Sequence, residues 1–314
     1  MIRHLTLRQL QVFLEASRLM SFARTAEALH LTQPAVSMQI RQLETAIGLP
    51  LFERIGRRLA LTEAGTLLRS HAARVLGELQ DAEQSLQALQ GLRGGTVVVG
   101  LVSTAKYFMP RLLSVFAQEF PDIDVRFSVG NRGTLIRLLE DNEIDLAMMG
   151  RPPDKLDALT EAVAENPHML VAARDHPLAA AGTFDLHELR GETFLLREPA
   201  SGTRNVMETM FKQHLFTPAR SIIMGSNETV KQAVMAGMGI SLLSLHTLAL
   251  ERRTGEVALL DVTGTPVVRN WHVVHMRAKR LTPAARQFRT FLLEQMSAYL
   301  AEHFPARGDG FGPA

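Results

Sequence analysis

One predicted helix, residues 33–47, carries side chains suited to contact nucleic acid. At about 100° per residue, one of its faces collects Gln33, Pro34, Ser37, Met38 and Arg41. The opposite face is an apolar stripe made of Val36, Ile40, Leu43 and Ile47. A helix that buries one face and presents glutamine, serine and arginine on the other can enter a DNA major groove, where its N-terminal residues contact base edges. The spacing therefore predicts a recognition helix.

Residues 52–62 add three arginines beside this helix: Arg54, Arg57 and Arg58. The segment is typical of two short strands around Gly56, a wing whose arginines are placed to contact phosphates or the minor groove. Residues 1–62 hold eight arginines and four glutamates, whereas residues from 94 onward hold 23 basic and 24 acidic side chains. A basic segment on a nearly neutral chain favours a polyanion as partner. The alternative is a three-helix module whose polar face is only hydrated.

Two further helices must hold the recognition helix in place. Residues 7–18 show apolar side chains at helical spacing, and Ser21 is placed to cap a second helix. Thr32 caps the recognition helix, and Pro34 lies in its first turn, where no intrahelical hydrogen bond is lost. We call residues 1–62 the head.

A long helix follows the head, and residues 63–93 are predicted to form a linker between domains. Its apolar residues alternate at spacings of four and three over three heptads: Leu68, Ala72, Val75, Leu79, Ala82, Leu86 and Leu89. Such a seam favours a coiled-coil dimer, although it could also pack on the same chain. A dimer would hold two heads at half-sites about one helical turn of DNA apart, or a multiple of it.

The remaining residues, 94–314, which we call the body, alternate predicted strands and helices. This order is typical of an α/β fold with parallel sheets. The pattern predicts two lobes joined by crossing strands: lobe I at about 94–162 and 267–302, and lobe II at about 163–266. A cleft between such lobes is the usual position of a ligand.

Several predicted helices of the body begin with small polar residues directly after a strand. Helix N-termini carry free N–H groups and the positive end of the helix dipole, so anions are favoured there. The candidate ligand-binding residues are Ser103, Thr104, Asn131, Ser201, Thr203 and Asn227, with Lys106, Arg151 and Arg204 close by. They favour an anionic, phosphorylated small molecule. The alternative is that each polar residue only caps its helix.

The sequence lacks the signatures of enzymes, of thiolate metal sites and of membrane or secreted proteins. The sequence has no cysteine, which excludes disulfides and thiolate metal sites. Ser103 and Lys106 match a Ser-x-x-Lys spacing, but the companion motifs of that enzyme class are absent. We expect no enzyme activity, no metal and no cofactor. No apolar run reaches the roughly 20 residues of a membrane span, and no secretion signal is visible, so a cytoplasmic protein is expected.

Short motifs recur along the whole chain. In the head and the start of the linker they are Phe22–Ala26, Leu31–Ser37, Gln42–Glu44, Leu51–Arg54 and Leu61–Gly65. In the body they are Gly150–Pro153, Phe194–Pro199, Ser201–Arg204, Gly225–Thr229 and Val234–Thr247. The first set resembles the motifs of the LysR-type transcriptional regulators. The second set resembles the CbbR branch of that family, which activates RuBisCO and Calvin-cycle operons.

The resemblance implies a winged helix-turn-helix head, a coiled-coil linker and a two-lobed effector domain of the periplasmic-binding-protein type. It also implies assembly as a dimer of dimers on promoter DNA, with RNA polymerase as a possible partner. The residues of the recognition helix and the wing would contact DNA, and those at the helix starts of the body would contact the effector. Met38 departs from the family pattern, since many relatives carry arginine or a hydroxyl residue there.

For the effector, the resemblance suggests a sugar phosphate such as ribulose bisphosphate, phosphoenolpyruvate or NADPH. Control of another metabolic operon stays open as an alternative. A cytosolic solute-binding module is a second alternative, but such a module needs neither a winged head nor a coiled coil.

Overall fold

The computed structural model describes residues 5–56, 58–89, 94–152, 156–199 and 201–305. The head contains α1 (Leu7–Leu19), α2 (Phe22–Ala28), α3 (Gln33–Ile47), β1 (Phe52–Ile55) and β2 (Arg58–Leu61). Each helix begins at a side-chain cap, because Thr6, Ser21 and Thr32 accept hydrogen bonds from backbone N–H groups three residues on. Helix α3 ends at Gly48, which adopts the left-handed conformation that glycine favours.

The core of the head fixes the orientation of α3. Val36, Ile40 and Leu43 are at most 2% exposed and join a cluster with Val12 and Phe13 of α1. Full burial of an apolar side chain of this size stabilises a fold by about 1.5–3 kcal/mol. The opposite face of α3 is therefore turned to solvent.

The linker helix is α4 (Glu63–Leu89), 27 residues long. Leu68 and Ala72, the first two positions of the predicted seam, pack into the core of the head. The next four, Val75, Leu79, Ala82 and Leu86, are exposed, and the side chain of Leu89 lies outside the described residues. The interchain seam is thus predicted for these later positions only, since the first two are occupied by their own chain.

Contacts divide the chain into two units. Met1–Leu92 group with Leu138–Ile144, and Arg93–Arg137 group with Asp145–Ala314. Within the first unit, Arg69 Nη2 lies 3.2 Å from Asp141 Oδ2.

The body is an α/β structure with a mixed sheet. In chain order its elements are β3 (Gly95–Val102), α5 (Met109–Glu119), β4 (Ile123–Gly130), α6 (Arg132–Glu140), β5 (Leu146–Met149), β6 (Ala158–Ala173), β7 (Thr193–Arg197), α7 (Gly202–Gln213), β8 (Arg220–Met224), α8 (Asn227–Met235), β9 (Ser241–Ser244), α9 (Ala249–Arg253), β10 (Val257–Leu260), β11 (Val267–Met276) and α10 (Pro283–His303). The main sheet has the order β10-β6-β11-β5-β3-β4, with β9 also paired to β6. Strands β7 and β8 form a separate parallel pair.

The predicted parallel pairing was wrong at the two longest strands. Strand β3 is parallel to β4 and β5, but β6 is antiparallel to β9, β10 and β11. The physical reason is that the chain passes between the lobes twice, in opposite directions, along β6 and β11. These two strands pair from Val267 with His168 to Met276 with Ala158, so they form a paired connection between the two lobes.

Each lobe has an apolar core of its own. In lobe I, β3, α5 and α10 enclose a cluster that includes Phe108, Phe116 and Phe288. In lobe II, β7, α7 and β9 enclose another that includes Phe194 and Met207. Among the residues that the structure describes, no helix is both long and apolar enough to cross a membrane.

Candidate nucleic-acid interface and ligand cleft

The structure places all five candidate residues of α3 on one solvent-facing surface. Ser37 is half-buried, and the other four are exposed: Gln33, Pro34, Met38 and Arg41. Gln33 Nε2 lies 3.4 Å from Ser37 Oγ, so these two side chains are neighbours one helical turn apart. The surface combines hydrogen-bond donors and acceptors with one flexible apolar side chain, which suits contact with base edges.

The wing is an antiparallel hairpin in which β1 pairs with β2. Gly56 turns the chain with a φ of 64°, a left-handed conformation that favours glycine. Arg54 and Arg58 are exposed at its two sides, and Arg57 lies outside the described residues. Exposed guanidinium groups on a short hairpin can reach phosphate groups of a DNA backbone.

A cavity of about 80 Å³ lies between the two lobes of the body. Six of the nine candidate effector-binding residues line it: Ser103, Thr104, Asn131, Arg151, Ser201 and Thr203. The first four come from lobe I, where β3, β4 and β5 end. The last two come from the start of α7 in lobe II. Strand ends and a helix start that are far apart in sequence thus converge on one cleft.

The other three candidates do not line this cavity, because their side chains contact other residues. Lys106 Nζ lies 5.2 Å from the ring centre of Tyr107. Arg204 donates from Nε to Glu208 Oε1 at 2.7 Å and from Nη1 to a backbone carbonyl at 3.1 Å. Asn227 donates to the Tyr107 hydroxyl at 3.4 Å.

Sequence reasoning missed the floor of the cleft. Asn166 and His168 of β6 and Arg269 and Trp271 of β11 line the cavity. Ser244 Oγ donates to Asn166 Oδ1 at 2.6 Å. The only signal in the sequence was the presence of polar residues within these long strands. That they lie at the same place in the cleft becomes clear only once β6 and β11 are paired.

Guanidinium groups dominate the charge of the cleft. Arg132, Arg151, Arg197 and Arg269 line the cavity, and Glu198 is the one carboxylate among the described lining residues. Arg197 donates two hydrogen bonds to Glu198, at 2.8 and 2.9 Å. Its buried Nη1 and the Nε of Arg132 have no hydrogen-bond partner among the described residues. Buried cationic donors without partners favour an anionic ligand.

Two histidines beneath the cleft are neutral at pH 7. Burial lowers the pKa of His168 to about 4. Burial also lowers the pKa of His246 to about 4, together with the charge that His168 carries when protonated. Trp271 Nε1 donates to His246 Nδ1 at 2.9 Å, so this imidazole acts as an acceptor. The positive charge of the cleft therefore comes from arginine.

A second polar cluster joins the lobes around Tyr107. The Tyr107 hydroxyl of lobe I donates to Glu228 Oε2 of lobe II at 2.9 Å, and Lys231 Nζ lies 4.5 Å from its ring centre. Lys231 Nζ also lies 2.5 Å from Glu251 Oε1 and 3.2 Å from Glu228 Oε2. Burial opposes the charge of Lys231, but the two carboxylates outweigh burial and raise its pKa. This cluster links the lobes outside the cavity.

Two family models match the chain. The model of the bacterial regulatory helix-turn-helix protein, lysR family, matches residues 7–66, and that of the LysR substrate binding domain matches residues 90–297. The chain belongs to the LysR family. The recognition face lies inside the first matched segment of this LysR-family protein, and the cleft lies inside the second.

Named relatives of this LysR-family protein are transcriptional regulators rather than enzymes. It is 60% identical over 303 residues to CfxR of Cupriavidus necator, covering 96% of each chain. It is 45% identical over 293 residues to the RuBisCO operon transcriptional regulator of Allochromatium vinosum, covering 93% of this chain and 97% of that one. The regulatory domain of CcmR from Synechocystis PCC6803, solved in complex with 2-PG, is 35% identical with a TM-score of 0.60, over 65% of this chain and 100% of that one.

Proposed function

We propose that this LysR-family protein is a ligand-responsive regulator that activates a RuBisCO operon. The full-length similarity to a RuBisCO operon regulator supports the choice of operon. The observation that carries ligand control is the arginine-lined cleft, in which buried Arg197 presents an unpartnered donor. Such a donor is satisfied when an anion enters the cleft.

The effector is a small phosphorylated anion. The excess of guanidinium over carboxylate groups in the cleft supports an anion with more than one negative charge. The 2-PG complex of the CcmR regulatory domain supports a compact ligand at the equivalent domain. Phosphoenolpyruvate and sugar phosphates are compact anions of this kind, whereas NADPH is a much larger dinucleotide.

On DNA, α3 and the wing of each protomer contact one half-site. Gln33, Pro34, Ser37, Met38 and Arg41 meet base edges, and Arg54, Arg57 and Arg58 meet phosphates or the minor groove. The seam residues of α4 from Val75 to Leu86 support a dimer, and a dimer of dimers follows from family resemblance. RNA polymerase is the further partner that activation implies, and the cytoplasm is the compartment.

A DNA-binding titration tests this function. Fluorescence anisotropy at fixed salt compares the duplex upstream of the protein's own gene with a shuffled duplex, with and without each metabolite. We expect binding to the native duplex to be tighter by on the order of a thousandfold, and one metabolite to change it. Equal and weak binding to both duplexes would instead favour a solute-binding module.

The ligand is tested separately through Trp271, the single tryptophan of the chain, which lines the cleft. Titrating phosphoenolpyruvate, ribulose bisphosphate and NADPH should change its fluorescence for one of them. Arg197→Met should weaken that binding by about ten- to hundredfold, the value of a hydrogen bond to a charged group. Arg220→Met, at an exposed arginine outside the cleft, is the matched control and should leave it unchanged. Equal affinities of the two variants would contradict the assignment of the cleft.

A further inference from the structure

Met38 is an exposed apolar side chain in the middle of the recognition face. It is 52% exposed, whereas the apolar residues Val36 and Ile40 of the same helix are buried in the head. Met38 is therefore not part of that core. The role of Met38 must therefore lie in what the recognition face contacts.

Residues four apart form two parallel rows along the exposed face of α3. One row is polar and contains Gln33, Ser37 and Arg41, and its first two side chains are 3.4 Å apart. The neighbouring row places Pro34 and Met38 side by side, both exposed. Exposed Gln42 continues the second row, so the apolar part of the face is confined to Pro34 and Met38. These two residues lie in the first two turns of α3, from which recognition helices contact bases.

The chemistry of methionine limits what Met38 can contact. A thioether has no donor and is only a weak acceptor, so it cannot make the paired hydrogen bonds by which arginine recognises guanine. The major groove presents one apolar group, the C5-methyl of thymine. An unbranched side chain with three rotatable bonds can adapt to such a small target.

We propose that Met38 determines base specificity by packing against the C5-methyl group of one thymine in each half-site. The inference rests on the proposed DNA binding by α3. It makes Met38 a specificity residue whose contribution depends on a single methyl group. Loss of one buried methyl group corresponds to about a fourfold change in affinity.

The test removes that methyl group without changing base pairing. Deoxyuridine replaces thymine, one position at a time, in the native duplex, and the full-length protein is titrated at fixed salt. We expect wild-type binding to weaken about fourfold at one thymine of each half-site. Met38→Ala should bind the thymine and uracil duplexes equally. Met38→Leu, which keeps an apolar side chain, should retain the difference.

The matched control is Met238→Ala, because Met238 is 51% exposed but lies in the body. This variant should keep the full sensitivity to deoxyuridine. If Met38→Ala also keeps it, or if no deoxyuridine weakens wild-type binding, the role of Met38 is refuted while DNA binding stands. If the wild-type protein does not prefer the native over the shuffled duplex, the proposed function fails, and the role of Met38 fails with it.

Discussion

Replacing His246 by asparagine should remove part of the acid sensitivity of the body. His246 is 3% exposed, accepts a hydrogen bond from Trp271 and packs against Phe108 and Phe304. Burial, together with the charge that His168 carries when protonated, lowers the pKa of His246 from 6.5 to about 4. The folded protein thus keeps this imidazole neutral where the unfolded chain binds a proton.

The sign and size of the effect follow from proton linkage. Because the unfolded state binds more protons between pH 6.5 and pH 4, the stability is fully present above pH 6.5 and is lost as the pH falls through this window. Lowering the pH from 7 to 5 should therefore reduce the free energy of unfolding by roughly 2 kcal/mol through this histidine alone.

Urea unfolding at pH 7 and pH 5, followed by Trp271 fluorescence, measures the difference. The smaller side chain of the His246→Asn variant leaves a cavity that costs stability at both pH values, so the change between them is the informative quantity. That change should be about 2 kcal/mol smaller in His246→Asn than in the wild type. His303→Asn, at an exposed histidine of the same unit, should behave like the wild type. An undiminished acid effect in His246→Asn would refute the assignment of a neutral buried imidazole.

Three more substitutions test the cluster around Tyr107 and the linker helix. Lys231→Met should lower the free energy of unfolding in urea by about 3–5 kcal/mol, because it leaves the buried carboxylate of Glu251 unpaired. Adding Glu251→Leu should restore most of this stability, and a double variant as unstable as Lys231→Met would contradict the pairing. Tyr107→Phe removes the hydroxyl that bridges the lobes, so the affinity for the metabolite that changes Trp271 fluorescence should fall several-fold. An unchanged affinity would show that this contact does not influence ligand binding in the cleft. Leu79→Glu should shift the protein toward monomer in sedimentation velocity, whereas Gln80→Glu, at the adjacent exposed residue, should not. Equal sedimentation of the two variants would argue against the seam.

The head was the part of the fold most accessible to sequence reasoning. Thr32, Pro34 and the stripe from Val36 to Leu43 are local signals, since capping and helical periodicity depend on residues within a few positions. They placed α3 and its exposed face correctly. The predicted seam of α4 was accessible only in part. Its heptad spacing is local, but whether Leu68 meets a second chain or its own head depends on tertiary packing.

The cleft shows the opposite situation. Sequence patterns identified residues at helix starts, and six of nine lie along the cavity, but they did not reveal which polar side chains already have partners. Asn227 donates a hydrogen bond to Tyr107, which is 120 positions away in the chain. A local sequence pattern cannot predict such a contact. His168 and Trp271 lie within long strands that mix polar and apolar residues. Their position at the floor of the cleft follows from the pairing of β6 with β11.

The sequence by itself therefore determined the LysR family and the face of α3 turned to solvent, and it predicts the order of head, linker and body. These properties follow from motifs, caps and periodicity, which act over short distances along the chain. Only the tertiary structure decided the lining of the cleft, the neutral state of its buried histidines and the contact between the lobes at Tyr107. These depend on burial and on pairing between residues far apart in sequence, and both exist only once the lobes have formed around their shared strands.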